Sequence, residues 1–325
     1  MLIPKQGVTI LELLVLVGIV GVLLALLLPA VQSARESARK VTCKNNLRQM
    51  GIAIQSFHSA HQRMPSLYNG SFTANGNTLT FPKRYWDEHH FHSWQVALLP
   101  SLEQSSLYES IDMTTAASDP KNQPNVNVEL SVFQCPSTSN VTPFSNVRNF
   151  APNDVIGTAA RSDYEAIGGI HLSSIANENR QLLGTNIALG AWGLPLQTIP
   201  KDATYYNVET TRFRDVTDGL SNSIILAEMS GRPDPYVRGK LDEDYEEIDN
   251  ISKPAWAISG SYHAIVLSKK FGVNETNHNG IYSFHASGVH VSLADGSVRM
   301  LSNSTNKAVL QALTTRAGRE TVSIE

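Results

Sequence analysis

One carboxylate stands out in this chain because of where it sits. Glu12 lies a single helical turn inside the run Gly7 to Val31, where it is the one charged residue. A charge at membrane depth costs about 2.5–3.5 kcal/mol even on lenient insertion scales, so an acid there calls for a partner or a function. The run contains no Lys, Arg or His, and the nearest upstream cation is Lys5. Scission after Gly7 would place a new α-amino group on Val8, one turn from Glu12 or beside the Glu12 of a neighbouring subunit.

Other residues with chemical potential are spread along the chain. Cys43 and Cys135 are the two cysteines, and both lie beyond the apolar run, where an oxidising compartment would let a disulfide persist. Two separate buried thiols are the competing reading. His89-His90-Phe91-His92, with Asp87 and Glu88 beside it, offers imidazoles at metal spacing. No second ligand cluster of recognisable spacing follows, and a polar loop leading into a strand at Trp94 is favoured. From Asp242 to Asp249 six of eight residues are acidic, so Asp242, Asp244 and Glu246 are weak calcium candidates. The stretch lacks the glycine and spacing of an EF-hand and is favoured as a solvated loop. Ser221 and Ser223 lie near Asp218, with His285 or His290 as conceivable bases, but residue order alone does not make a triad. Gly-x-Ser-x-Gly, Walker, dinucleotide-binding and His-Glu-x-x-His motifs are absent from the sequence. The expectation is therefore a protein that is not an enzyme and needs no cofactor.

These residues must be positioned by a long helix and a β-rich remainder. Leu13 to Leu28 is wholly apolar or Gly and, with Val8 to Leu11, reaches the roughly 20 residues that span a bilayer. A cleaved secretory signal ending near Val31-Gln32-Ser33 is the rival reading. Pro29 is expected to kink the helix near the end of the span. Beyond it, Cys43, Leu47, Met50, Ile54 and Phe57 form an apolar stripe on one helix face, carrying the helix to about His61, before Pro65. From Val8 the helix would be about 80 Å long. Residues 1–63 hold seven Lys/Arg against two acids, and the rest holds 19 against 27, so no global basic surface invites nucleic acid. Arg35, Arg39, Lys40, Lys44 and Arg48 follow the span, which on a simple charge count would hold the large domain in the cytoplasm. Long domains translocate largely regardless of that count.

After Pro65 the helical period gives way to short strand-like runs. Val289 to Leu293 alternates like a half-buried strand, Asp295-Gly296 signals a hairpin turn, and Val298 to Leu301 returns. A Gly/Asn/Pro-rich stretch near 137–153 is a candidate boundary between two lobes.

Lys5-Gln6-Gly7-Val8-Thr9-Ile10-Leu11-Glu12 resembles the processing site of type IV prepilins and type II secretion pseudopilins. Further blocks resemble a large family of prepilin-like proteins of unknown function, numerous in planctomycete bacteria. They are Ala34 to Arg39, Cys43 to Gln49, Trp94 to Pro100, Leu102 to Gln104, Phe133 to Ser137, Asp215 to Ser223, Glu228, His285 with Gly288, Ala294 to Arg299, and Thr315 to Gly318 with Glu320. The resemblance implies cleavage between Gly7 and Val8 by a prepilin peptidase, methylation of the new amine, and a Glu12 that neutralises a neighbour's amine during assembly. Val8 and Ile10 depart from the commoner residues of the motif but keep its apolar character. It implies an α+β fold: a pilin-like long N-terminal helix, half in the membrane and half amphipathic, packed on an antiparallel sheet with a large β-rich outer domain. The segments would be a leader 1–7, a transmembrane and assembly helix 8–30, its amphipathic continuation 31–64 and an extracytoplasmic domain 65–325. The implied partners are the peptidase, other pilin or pseudopilin subunits and lipid, with the N-terminus cytoplasmic. The reading is a structural subunit of this class; the alternative is a pilin-exported, membrane-anchored module that binds a carbohydrate, peptide or ion.

Overall fold

The computed structural model describes residues 9–74, 77–81, 92–113, 115, 117, 119–138, 144–148, 155–171, 187–192, 211–232, 234–242, 255–257, 266–268, 271–277 and 280–319. Gly7, Val8, Asp87, Glu88, His89, His90, Asp244 and Glu246 lie outside the described residues, as does most of the stretch 139–153. The chain divides into two compact units, Met1–Val41 and Thr42–Glu325.

A single helix, α1 (Ile10–His61), begins in the first unit and ends in the second. Its start is fixed by a reciprocal capping box. The Thr9 hydroxyl accepts the Glu12 N–H at 3.2 Å, while Glu12 Oε2 accepts the Thr9 N–H at 2.9 Å and the Thr9 O–H at 3.0 Å. From Ile10 to Val31 every side chain is exposed, and Pro29 lies inside the helix.

In the second unit, Cys43, Leu47, Met50 and Ile54 are buried and Phe57 is half-buried, so the stripe faces a core. The helix ends where Gln62 takes a φ of 56° and its N–H bonds the His58 carbonyl at 2.7 Å. The other elements in chain order are β1 (Tyr68–Ala74), β2 (Asn77–Phe81), β3 (His92–Ser93), α2 (Trp94–Leu98), α3 (Ser105–Ser110), α4 (Gln123–Val126), β4 (Phe144–Arg148), β5 (Val155–Ala159), β6 (Tyr164–Ala166), β7 (Gly169–His171), β8 (Ile187–Leu189), β9 (Ile224–Glu228), β10 (Tyr236–Val237), β11 (Lys240–Leu241), β12 (Val266–Ser268), β13 (Gly288–Leu293), β14 (Val298–Ser302) and α5 (Lys307–Thr314). Trp94 does not lie in a strand. Ser93 accepts the Gln95 N–H at 3.2 Å, and this cap turns the chain into α2 directly after the two residues of β3.

The element that matters most is the four-stranded antiparallel sheet β14-β13-β9-β6. Its hairpin β13–β14 turns at Asp295-Gly296, where Gly296 has a φ of 82°. β13 is buried along its whole length and is not half-exposed as the alternation predicts. Val289, Val291 and Leu293 join a core with Leu310 and Leu313 of α5, while Ser292 meets α1. Both faces are therefore covered, and the polar members of the alternation, His290 and Ser292, are buried too. A Cβ on Gly51 would lie 2.9 Å from Ser292 Oγ and 3.5 Å from Gly296 Cα, which shows how closely α1 approaches the hairpin. The Gln55 amide donates to the Ala294 carbonyl at the same crossing. A further sheet, β12-β7-β8, contains a parallel pair, β12 with β7.

Candidate functional site

The densest chemistry of the described residues is inside the second unit. Cys43 comes from α1, and Cys135 follows the short 3₁₀ turn Ser131–Phe133. The two are joined as a disulfide with a Cα separation of 5.4 Å, across 92 residues of sequence. Asn46, one turn further along α1, donates to the carbonyls of Ser131 and Gln134, each at 3.0 Å, and to Tyr164 Oη at 3.2 Å. The helix is thus tied to the same turn covalently and by an amide.

Against the sulfurs stands an imidazole–carboxylate group. His285 Nε2 lies 3.7 Å from Cys135 Sγ and 3.4 Å from Glu228 Oε1. Glu228 closes β9, and its other oxygen accepts the backbone N–H of His290 at 2.7 Å, while His290 Nδ1 sits 3.3 Å from Oε1. Burial by itself would raise the Glu228 carboxyl, but hydrogen bonds and charge from His285 and His290 outweigh it and hold the group below its usual range.

Local structure aims His285 inward. Its N–H donates to Ser283 Oγ at 3.2 Å, and that hydroxyl donates to the Gly288 carbonyl at 2.7 Å. Gly288 has a φ of 148°, and a Cβ there would fall 1.9 Å from the Leu301 carbonyl oxygen, so this entry into β13 requires glycine.

A second tier of buried charge supports the first. Asp163 Oδ2 accepts the Cys135 N–H at 2.8 Å and pairs with Arg161 Nε at 3.1 Å. Burial is the largest influence on Asp163 and pushes its carboxyl up to about 6, against the pull of Arg161 and the Cys135 N–H. Arg232, also buried, lies 3.6 Å from Glu165, which accepts the Trp94 indole N–H at 3.3 Å.

The residues singled out in the sequence separate here. His285 and His290 converge on Glu228. The Ser223 hydroxyl donates instead to the carbonyls of Gly219 and Thr315, at 3.2 and 3.3 Å. Asp218 accepts the N–H groups of Gly318 and Arg319 at 2.6 and 2.9 Å and so holds the segment after α5. His92 is buried, with Nε2 3.0 Å from the Thr115 carbonyl. Asp242 donates its N–H to Pro235. Asp163, Arg161 and Arg232 were not legible as site residues, since none sits in a motif. For Glu12 the overlooked signal is Thr-x-x-Glu ahead of an apolar run, the signature of a capping box.

The chain is thus a helix long and apolar enough to cross a membrane, followed by a head of helices and small sheets around a buried disulfide and charge centre. A family model described as "Protein of unknown function (DUF1559)" matches residues 32–308, and the chain belongs to that family. No curated protein and no solved structure matches it.

Proposed function

We propose that this protein is a membrane-anchored, pseudopilin-like structural subunit, cut after Gly7 and assembled through its N-terminal helix, with its head on the far side of the membrane from the cytoplasm. The observation that carries the reading is the exposed surface of α1 from Ile10 to Val31, apolar throughout except for Glu12 in its first turn. Such a surface finds a stable environment in lipid or against copies of itself. The disulfide supports an oxidising location for the head. Gly51 and Gln55, where α1 meets the β13–β14 hairpin, support a pilin-like seating of the helix on a sheet.

Glu12 has two separable jobs in this reading. Within one chain it caps the helix through Thr9, and between chains its charge pairs a neighbour's amine. Glutamine at this capping position keeps an acceptor for the Thr9 N–H but loses the charge. Glu12→Gln is therefore expected to preserve insertion and processing yet impair assembly as severely as Glu12→Ala. Cross-linking to partner subunits and filament yield after shear measure this, and wild-type assembly by Glu12→Gln would overturn the pairing role. N-terminal sequencing should find Val8 first; a start at Met1 or near Ala34 would overturn the processing.

A further inference from the structure

We infer that Cys43, Cys135, Glu228 and His285 form a binding site for one soft divalent cation of the zinc class, opened when the Cys43–Cys135 bond is reduced. One donor atom from each of the four lies within 4.8 Å of all the others. Tetrahedral zinc, with bonds of about 2.3 Å to sulfur and 2.0 Å to nitrogen or oxygen, holds its ligand atoms about 3.3–3.8 Å apart. The 3.7 Å from Cys135 Sγ to His285 Nε2 and the 3.4 Å from His285 Nε2 to Glu228 Oε1 already fall in that interval. Two thiolates, an imidazole and a carboxylate are a zinc donor set, and the sulfurs select against calcium and magnesium.

The surroundings are those of a closed structural metal site. All four residues are buried. Two of the ligands are oriented from behind: Glu228 by the N–H of His290, and Cys135 through its own N–H by Asp163.

In the oxidised chain the sulfurs are bonded to each other and are not thiolate donors. A dithiol reductant transfers two electrons and two protons, giving two Cys thiols and its own disulfide. The cation then displaces those two protons and forms two metal–sulfur bonds. The same residues thus hold α1 to the Cys135 turn in either state, by a disulfide when oxidised and by a shared ion when reduced.

The test uses the full chain in detergent micelles, either oxidised or reduced with dithiothreitol and desalted under anaerobic conditions, and titrated with Co²⁺. The reduced chain should bind one cobalt, show thiolate-to-cobalt charge-transfer and tetrahedral ligand-field bands, release the cobalt to Zn²⁺, and keep its near-ultraviolet circular dichroism. The oxidised chain should show neither band. Glu228→Gln and His285→Gln should weaken cobalt binding about tenfold or more. Where a variant fails to fold, the oxidised and reduced forms of the unaltered chain decide. Absence of the charge-transfer band in the reduced chain, its equal presence in the oxidised chain, uptake only after the near-ultraviolet signal is lost, or unaltered affinity in a folded variant would each overturn the site.

Discussion

Breaking the disulfide should cost this head a large share of its stability, and the loss can be worked from the fold. Cys43 and Cys135 are separated by 92 residues and both are fully buried. In the chain-entropy model a loop of that length, closed in the unfolded ensemble, stabilises the native state by about 4.6 kcal/mol at 25 °C. Domains of this kind are stable by about 5–15 kcal/mol, so reduction should remove from about a third to nearly all of it. The Asn46 amide spans the same helix and turn through two bonds of 3.0 Å, but these persist only in the folded state and contribute about 1 kcal/mol each. They cannot replace a constraint on the unfolded chain. The assay is guanidinium unfolding of oxidised and reduced protein in detergent with a chelator present, followed by fluorescence of the buried Trp94, Trp192 and Trp256. Cys43→Ala/Cys135→Ala should fall at least as far as the reduced form, because it also empties buried volume. A loss below about 1 kcal/mol in both would refute the reasoning.

Gly288→Ala should destabilise by about 3 kcal/mol or more, since its Cβ would overlap the Leu301 carbonyl at 1.9 Å, whereas Gly51→Ala meets a rotatable Ser292 hydroxyl at 2.9 Å and should cost far less; equal shifts in the same unfolding assay would contradict this. Asp163 is raised by burial from 3.8 to about 6, so between about pH 4 and 6 the native state binds more protons than the unfolded one, and stability should fall as pH rises through that window, by about 3 kcal/mol in all. Asp163→Asn should flatten this fall, measured as unfolding midpoints at pH 4.5 and 7; an unchanged slope would show that the carboxyl is not its source. Glu228 is shifted the other way, so its contribution is present above the unfolded value near 4.5 and is lost as pH falls below it.

What the sequence determined by itself is what local periodicity encodes. The unbroken apolar run gives the exposed anchor surface of α1, and the four-three spacing of Cys43, Leu47, Met50 and Ile54 gives its buried stripe, because 3.6 residues per turn place them on one face. Asp295-Gly296 gives the hairpin, because glycine reaches the positive φ of the turn. Periodicity misled where tertiary cover intervened. It marks β13 as half-exposed, yet α1 and α5 close both faces and carry His290 and Ser292 inside. At Trp94 a hydroxyl cap, a short-range feature without a period, turns an expected strand into α2. The charge centre was decided by tertiary structure alone. Cys135 and His285 are 150 residues apart, Glu228 ends a strand paired with both β13 and β6, and Asp163 reaches Cys135 from a segment without a motif. Side chains so distant along the chain share no spacing rule, and their meeting follows from strand pairing and helix packing that fix them at contact distance while excluding water.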